Sequence, residues 1–162
     1  MTSEIHMTGA LEPRGSWTAD RCSVAKALDV VRTRSALLIL REAFYGATRF
    51  DEFAKRAQLS DPVTADRLRE LVDDGILERE PYREPGQRTR QMYRLTEKGA
   101  ELLPVLVALM QWGDRWLQDA GPPVQLTHED CGARITAQLR CERDHEIGEG
   151  EIALARTSLA RT

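Results

Sequence analysis

Residues 59–96, LSDPVTADRLRELVDDGILEREPYREPGQRTRQMYRLT, place a capped helix directly before a pair of strands. Asp61 is predicted as the N-cap of this helix, and Pro62 occupies the first helical position, where a missing N–H costs no hydrogen bond. The helix is predicted to run to about Asp74 and to end at Gly75. A helix and a hairpin joined this closely indicate a mainly helical domain with a small β element.

The predicted strands cover residues 76–83 and 88–96, on either side of Pro85-Gly86. Proline followed by glycine suits the two central positions of a type II turn, because the second position needs a positive φ. The two strands are therefore predicted to form a β-hairpin.

Three helices are predicted upstream, over about 23–31, from Thr33 to about Phe44, and over RFDEFAKRA at 49–57. A short helix, a tight turn and a second capped helix make a helix-turn-helix, and a hairpin placed after it makes the arrangement winged. A long last helix is predicted over about 97–118, capped by Thr96. Pro104 lies within it and should remove a hydrogen bond or kink the axis.

The start of the fourth helix and the arginine-rich hairpin are both expected to reach solvent, which predicts double-stranded DNA as the partner. A recognition helix contacts base edges in the major groove near its N-terminus, while a wing contacts phosphates or the minor groove. Ala65, Leu68, Leu71 and Val72 are predicted to form the buried stripe of this helix. The candidate DNA contacts are Ser60, Thr64 and Arg67 in the helix, Gln87, Arg88 and Arg90 in the hairpin, and Arg49 before the third helix.

Other interpretations of these features stay open. Helix-turn-helix shapes also occur in packed helical proteins, and an arginine-rich hairpin is often only a solvated turn. Arg49 could equally be a surface arginine with no partner. A thiol-dependent enzyme acting through Cys22, and a protein-interaction module using the hairpin and the last helix without DNA, are the alternatives from other classes.

Composition limits where nucleic acid could bind and where the protein works. The chain has 162 residues, of which 30% are charged, and a formal net charge of −3, so the field of the whole molecule does not attract a polyanion. No apolar run approaches the roughly 18 residues of a membrane span, and the polar tail at 1–17 lacks the pattern of a secretion signal. Three cysteines without such a signal indicate free thiols, so a cytoplasmic location is expected.

Several ordered sequence blocks resemble the HxlR family of bacterial winged-helix transcription regulators, which are relatives of the MarR type. The resemblance covers residues 22 to about 117 and rests on CSVAKALDVV, ALLILREAFYGATRFDEF, LVDDGILERE, YREPGQRTRQMYRLTEKG and LMQWGDRW. It implies a winged helix-turn-helix domain over 18–120, with dimerisation helices and a C-terminal extension at 121–162.

The resemblance also implies a function. It implies a sequence-specific regulator, a repressor rather than an enzyme, that binds a palindromic operator as a homodimer through recognition helix 62–74 and wing 76–95. The dimer interface is usually built from the first and last helices. The predicted apolar face of the last helix comprises Leu103, Leu106, Val107, Met110, Gly113 and Leu117. Modulation by a small-molecule effector or an oxidant is left open.

The sequence departs from the family pattern at three positions. Glycine is common near Arg32, tryptophan at Ser35, and glycine in the turn near Gln58. A non-glycine residue in a left-handed conformation costs roughly 1–2 kcal/mol. Trp17 could fill the space of the lost tryptophan.

Cys22 lies where the family places an N-terminal cysteine, which in several members senses oxidants or electrophiles. A helix N-terminus lowers the pKa of a thiol and so favours the reactive thiolate. Cys22 is therefore a redox-sensing candidate. The alternative is a small buried residue at a helix start.

The C-terminal extension pairs cysteine with histidine twice. His128 and Cys131 are spaced H-x2-C, and Cys141 and His145 are spaced C-x3-H, with ARITAQLR between the pairs predicted as a strand. Two such pairs resemble a zinc ribbon, because structural zinc prefers four tetrahedral cysteine and histidine ligands. The alternative is a small C-terminal β appendage with inward cysteines and exposed histidines.

Overall fold

The computed structural model describes residues 5–7, 22–83, 85–86, 88–148 and 150–155. Residue contacts divide the chain into two units, Lys26–Thr136 and a second made of residues 1–25 with 137–162. The predicted domain boundaries at 17/18 and 120/121 stay predictions. Trp17 and its proposed packing lie outside the described residues.

Six helices and four strands make up the described secondary structure. In chain order they are β1 (His6–Met7), α1 (Ser23–Val31), α2 (Arg34–Phe44), α3 (Phe50–Ala57), α4 (Asp61–Asp73), β2 (Leu77–Tyr82), β3 (Arg90–Leu95), α5 (Glu97–Ala100), α6 (Leu103–Leu117) and β4 (Ala153–Leu154). The order helix, helix, helix, turn, helix, hairpin confirms the predicted winged helix-turn-helix. Within the described part of the chain, no helix is long and apolar enough to cross a membrane.

The core of the larger unit forms where α2, α3, α4 and the hairpin meet. Phe53 of α3 is fully buried and meets the Tyr93 ring of β3 edge-on, with ring centroids 6.1 Å apart. The remaining buried core consists of Ala36, Ile39, Leu40, Ala47, Leu68, Leu71, Ile76 and Leu77. This packing fixes α4 and the hairpin against the same helix, α2.

The turn of the helix-turn-helix contains a non-glycine residue in a left-handed conformation. Gln58 caps the C-terminus of α3 with φ 54° and ψ 47°, and its backbone N–H donates to carbonyls of the last turn. Leu59 N donates to the Ala54 carbonyl at 3.0 Å, which closes the same helix end. Gln58 therefore adopts the left-handed conformation for which the family commonly uses glycine near this position, and an L-residue in that conformation is strained.

The predicted last helix is interrupted. Thr96 caps only the four-residue α5 by accepting a hydrogen bond from Gly99 N at 3.1 Å, and α6 begins at Leu103 with Pro104 in its first turn. Proline has no N–H to donate and clashes with the preceding turn, so a continuous helix over 97–118 is disfavoured. The prediction of one long helix was wrong, although the disturbance by Pro104 was expected.

The C-terminal extension lacks the predicted strand over residues 133–140. In the larger unit, an isolated bridge pairs Thr127 with Arg134. In the other unit, Arg140 pairs with Glu146, and β1 pairs in parallel with β4. Each of the two isolated bridges joins residues six or seven positions apart, so residues 127–146 form tight turns rather than a continuous strand ladder.

Candidate nucleic-acid interface

Helix α4 begins one residue earlier than predicted, with Ser60 rather than Asp61 at the N-cap. Ser60 is exposed, and its side chain makes no capping hydrogen bond. Pro62 still lies in the first turn, as its missing N–H requires. The exposed hydroxyl of Ser60 therefore stays a candidate contact for DNA at the start of the helix.

Thr64 does not face solvent. Its side chain is fully buried, and its Oγ1 donates to the Ser60 carbonyl at 3.0 Å. Positions 64, 68 and 71 are spaced i, i+4 and i+7, which places Thr64 on the same face as Leu68 and Leu71. The prediction that Thr64 points outward was wrong, and so was the assignment of Ala65, which is exposed, to the buried stripe.

Arg67 lies at the edge of the exposed face rather than on it. Its side chain is 22% exposed, and its guanidinium forms an ion pair with Glu70 one turn later. Its Nε is buried without a hydrogen-bond partner among the described residues. Contact of Arg67 with DNA therefore requires its guanidinium to leave Glu70 first.

The surface that α4 presents to solvent, here called the outer face, is formed by Pro62, Asp66 and Arg69. These positions lie opposite Thr64 and Leu68 on the helix, and Arg69 and Asp66 form an ion pair with side chains 61% and 51% exposed. Arg69 is absent from the DNA contacts predicted from the sequence. Its helical spacing from Pro62 and Asp66, opposite the buried leucines, could have indicated that it is exposed.

The hairpin, or wing, has the register Leu77 opposite Leu95 through Tyr82 opposite Arg90. Gly86 has φ 77°, which confirms the positive φ predicted for the second position of the Pro-Gly turn. Arg88 and Arg90 are exposed beside this turn, as predicted. Gln87 lies outside the described residues.

Arg49 links the start of α3 to the wing. Its guanidinium lies 5.0 Å from the centroid of the Tyr82 ring, and its backbone forms a bridge with Met92. Tyr93 N donates to the Thr48 carbonyl at 2.8 Å beside that bridge. Arg49 is exposed, and it also packs on the wing. It therefore helps to position the wing and adds a positive charge beside it.

Charge is unequally divided between α4 and the wing. Residues 61–73 contain four acids and two arginines, whereas residues 76–96 contain five arginines and three glutamates. Both arginines of α4 are paired with acids of the same helix. The wing is therefore the stronger candidate for phosphate contact, and the outer face of α4 is better suited to base edges than to the backbone.

Glu52 caps the N-terminus of α3, next to the wing. Its carboxylate accepts hydrogen bonds from Thr48 N at 2.9 Å and Arg49 N at 3.1 Å. These backbone donors, first that of Thr48, together with the charges of Arg56 and Arg49, hold the pKa of Glu52 below its usual value. The folded state therefore favours the ionised carboxylate.

Replacing Glu52 with glutamine should lower the free energy of unfolding by about 0.5–1 kcal/mol at pH 7. Because the pKa is lowered on folding, the contribution of the charge is present above the unfolded pKa of about 4.3 and is lost as pH falls through the folded pKa. Urea denaturation of both proteins from pH 7 to pH 3 should show the difference shrinking below about pH 4. Asp51→Asn, in the same helical turn, is the control. A difference between wild type and Glu52→Gln that is independent of pH would contradict the assignment.

Cys22 is half-buried and immediately precedes α1. This position agrees with the predicted location at a helix start. Whether it senses oxidants stays a prediction.

The four predicted zinc ligands lie in two tight turns. Gly132 N donates to the His128 carbonyl at 2.8 Å in the turn that contains Cys131, and Cys141 N donates to the His145 carbonyl at 3.1 Å in the other turn. Both cysteines are exposed. Among the residues that the structure describes, no group of three or more His, Cys, Asp or Glu side chains could hold a metal ion. The thiol and imidazole groups of these residues are of the types that zinc prefers, and a zinc site in the extension stays a prediction.

Comparison with known proteins identifies the larger unit. The model of the HxlR-like helix-turn-helix family matches residues 30–120. The HTH-type transcriptional regulator Rv3095 of Mycobacterium tuberculosis is 44% identical over 120 residues, which cover 74% of this chain and 75% of the relative. The HTH-type transcriptional regulator YvaP of Bacillus subtilis is 34% identical over 93 residues, covering 57% of this chain and 84% of that protein.

Two solved structures extend the comparison. PA1607, a candidate transcription factor, matches with a TM-score of 0.74 and 35% identity over 87% of this chain and 96% of that chain. The redox regulator HypR in its oxidised form matches with a TM-score of 0.53 and 30% identity over 58% and 96% of the two chains. These proteins are regulators or candidate transcription factors, not enzymes. The chain belongs to the HxlR-like helix-turn-helix family and is a transcriptional regulator with a helix-turn-helix domain.

Proposed function

We propose that this protein is a cytoplasmic repressor that binds operator DNA as a homodimer. One observation carries the proposal: α4 presents the outer face of Pro62, Asp66 and Arg69 beside a wing whose turn exposes Arg88 and Arg90. An exposed helix next to an arginine-tipped hairpin suits a major groove and its flanking phosphates. Occupying a promoter in this way would block transcription sterically.

In the proposed complex, the parts of this surface have different roles. Once their ion pair opens, Arg69 can donate two parallel hydrogen bonds to a guanine edge, and Asp66 can accept one from cytosine N4. Arg88, Arg90 and the exposed Arg49 neutralise phosphates, while Ser60 donates to a phosphate near the start of α4. Thr64 supports α4 from inside the protein and makes no contact with DNA.

The proposed DNA binding is tested with the promoter fragment of the protein's own locus and an unrelated fragment of equal length. Fluorescence anisotropy is measured across a series of salt concentrations. We expect tighter binding to the promoter fragment and a linear fall of log K with log salt, because each phosphate contact releases counterions. Loss of this binding at low salt would overturn the proposal. Repression is tested separately with a reporter fused to the same promoter.

The proposed dimer is supported by an apolar stripe on the outside of α6. Val105, Leu109, Trp112 and Trp116 follow the spacing i, i+4, i+7 and i+11, and each is more than half exposed. A contiguous apolar surface of this kind usually marks an interface. The face predicted from sequence was different: Val107 belongs to the buried side, and Leu106 packs against the core. A second copy of α6 is the proposed occupant of the stripe.

Replacing Trp112 and Trp116 together with glutamate should convert the dimer into monomers, because two buried aromatic anchors would become charges that cannot be desolvated. Light scattering coupled to size-exclusion chromatography measures the mass. The matched control replaces both tryptophans with phenylalanine and should remain dimeric. A wild-type protein with the mass of one chain at micromolar concentration would refute the dimer.

Two further proposals concern oxidation of Cys22 and a zinc ion in the C-terminal extension, and each has fewer observations in its support. Modulation through oxidation of Cys22 is supported by its position before α1 and by the likeness to the redox regulator HypR. A structural zinc ion in the extension is supported only by the spacing of His128, Cys131, Cys141 and His145. Elemental analysis of the purified protein tests the second proposal directly.

A further inference from the structure

A cavity of about 490 Å³ opens between α2 and α6, inside the Lys26–Thr136 unit. This volume is within the range of small-molecule sites, roughly 300–1,000 Å³. Its wall is largely apolar and includes Leu37, Leu38, Leu106, Met110 and Val124. The cavity therefore has the size and the surface to accept an apolar body of drug-like dimensions.

One wall of this cavity contains the carboxylate of Glu42, one oxygen of which is bonded to Arg41 while the other is available to a ligand. Glu42 is 5% exposed, and its Oε1 accepts from Arg41 Nε at 2.8 Å and from a second nitrogen of the same guanidinium. Among the described residues, Oε2 of Glu42 has no hydrogen-bond partner. Oε2 is not one of the buried atoms that lack a partner, so it is accessible to solvent, and a charged donor in the cavity can hydrogen-bond to it.

The charges around the cavity favour a cation. Two carboxylates, Glu42 and Asp114, line it with one guanidinium, that of Arg41, whose side chain is 36% exposed and therefore partly screened by water. Tyr45 adds an aromatic ring to the wall, and its hydroxyl group lies 3.9 Å from the Met110 sulfur. Aromatic faces attract cations as well as apolar groups.

We propose that this cavity binds an amphiphilic cation, an apolar ring system that carries a protonated amine. The amine donates to Oε2 of Glu42 and lies near Asp114, while the ring system packs between α2 and α6. A neutral ligand of the same shape loses the charge-assisted hydrogen bond, and an anionic one meets two carboxylates.

The position of the cavity gives it a route to the DNA-binding surface. Helix α2 packs against α3, α4 and α6, so a ligand between α2 and α6 bears on the helix that supports the helix-turn-helix. Regulation of DNA binding by the ligand rests on the proposed function, whereas binding of the ligand does not. The two are measured separately.

Three matched probes test the proposal on the full chain: 4-phenylbenzylamine, 4-phenylbenzyl alcohol and biphenyl-4-carboxylate. Isothermal titration calorimetry at pH 7 should show the amine binding roughly tenfold or more tightly than the alcohol, with the carboxylate weakest. In Glu42→Gln, the preference for amine over alcohol should disappear while the affinity for the alcohol stays unchanged. Asp114→Asn, which changes a less buried carboxylate of the same cavity, should reduce the preference without abolishing it.

The outcomes that overturn the proposal are equal affinity for the amine and the alcohol, tighter binding of the carboxylate, or no binding of any probe to the wild-type protein. If circular dichroism shows that Glu42→Gln does not fold, the proposal is judged on two other results. These are the order of affinities of the three probes for the wild-type protein and the preference for amine over alcohol in Asp114→Asn. Binding of the amine without any effect on promoter affinity would uphold the site and refute only its regulatory role. Absence of promoter binding in the unliganded protein would refute the proposed function and leave the site untouched.

Discussion

Replacing Gly99 with alanine is expected to lower the free energy of unfolding by roughly 2–3 kcal/mol. A Cβ added at Gly99 would lie 2.2 Å from the Ile76 carbonyl oxygen and 3.1 Å from the Leu95 side chain. Because the nearest atom belongs to the backbone, it cannot move aside as a flexible side chain could. The change would push α5 away from the segment that joins α4 to the wing.

The loss is measured by urea denaturation followed by circular dichroism. Gly113→Ala is the matched control, since an added Cβ there meets no atom within 4 Å. Alanine is the better helix former, so this control should be neutral or more stable by about 0.5–1 kcal/mol. Equal stability of Gly99→Ala and the wild type would mean that α5 does not pack on Ile76 this closely.

Removing the two arginines beside the wing turn, Arg88→Ala with Arg90→Ala, should weaken binding to every DNA sequence on the order of 100-fold. Each protomer of the proposed dimer loses two phosphate contacts, so the salt slope should flatten by roughly 3.6, about 0.9 for each of four contacts. Fluorescence anisotropy on specific and unrelated fragments at several salt concentrations measures both quantities.

The matched control for this experiment is Arg94→Ala. Arg94 is exposed on the same hairpin, but its Nε donates to Glu80 at 2.9 Å, so its charge is already compensated. It should change the affinity and the slope much less than the double replacement. If the double variant keeps the wild-type slope, the turn of the wing does not contact phosphates.

Much of the fold could be predicted because its signals are local. Thr33 caps α2 by accepting from Ala36 N at 3.1 Å, and Gly86 takes the positive φ that the Pro-Gly turn requires. Caps and turns depend on a few neighbouring residues, so the sequence indicates them directly. The winged arrangement follows from their order along the chain.

The predictions of DNA contacts were wrong for α4 where the sequence did not show whether a polar residue lies on the exposed or the buried face of the helix. Thr64 is polar, and its polarity near the start of α4 predicts exposure to solvent, but the side chain is buried and its hydroxyl donates to the Ser60 carbonyl. Local bonds of this kind satisfy a threonine without water. Arg67 was expected to be available, and its pairing with Glu70 depends on side-chain geometry that spacing alone does not fix.

Helix α6 shows a different limit. Apolar residues lie on two sides of it, because one side packs on the core and the other, with Trp112 and Trp116, remains exposed. Periodicity indicates that such a helix is apolar but not which side belongs to the core of its own chain. The packing of α2 against it settles that question.

The most direct test of the central claim is the specificity ratio, the affinity for the operator divided by the affinity for unrelated DNA of the same length. If the outer face of α4 meets base edges, Arg69→Ala removes one base contact in each protomer and should lower this ratio by roughly 30-fold or more, about 1–3 kcal/mol for each of two contacts. Arg88→Ala should weaken both affinities equally and leave the ratio unchanged. A ratio that Arg69→Ala leaves at its wild-type value, in a protein that binds its operator, would contradict the account.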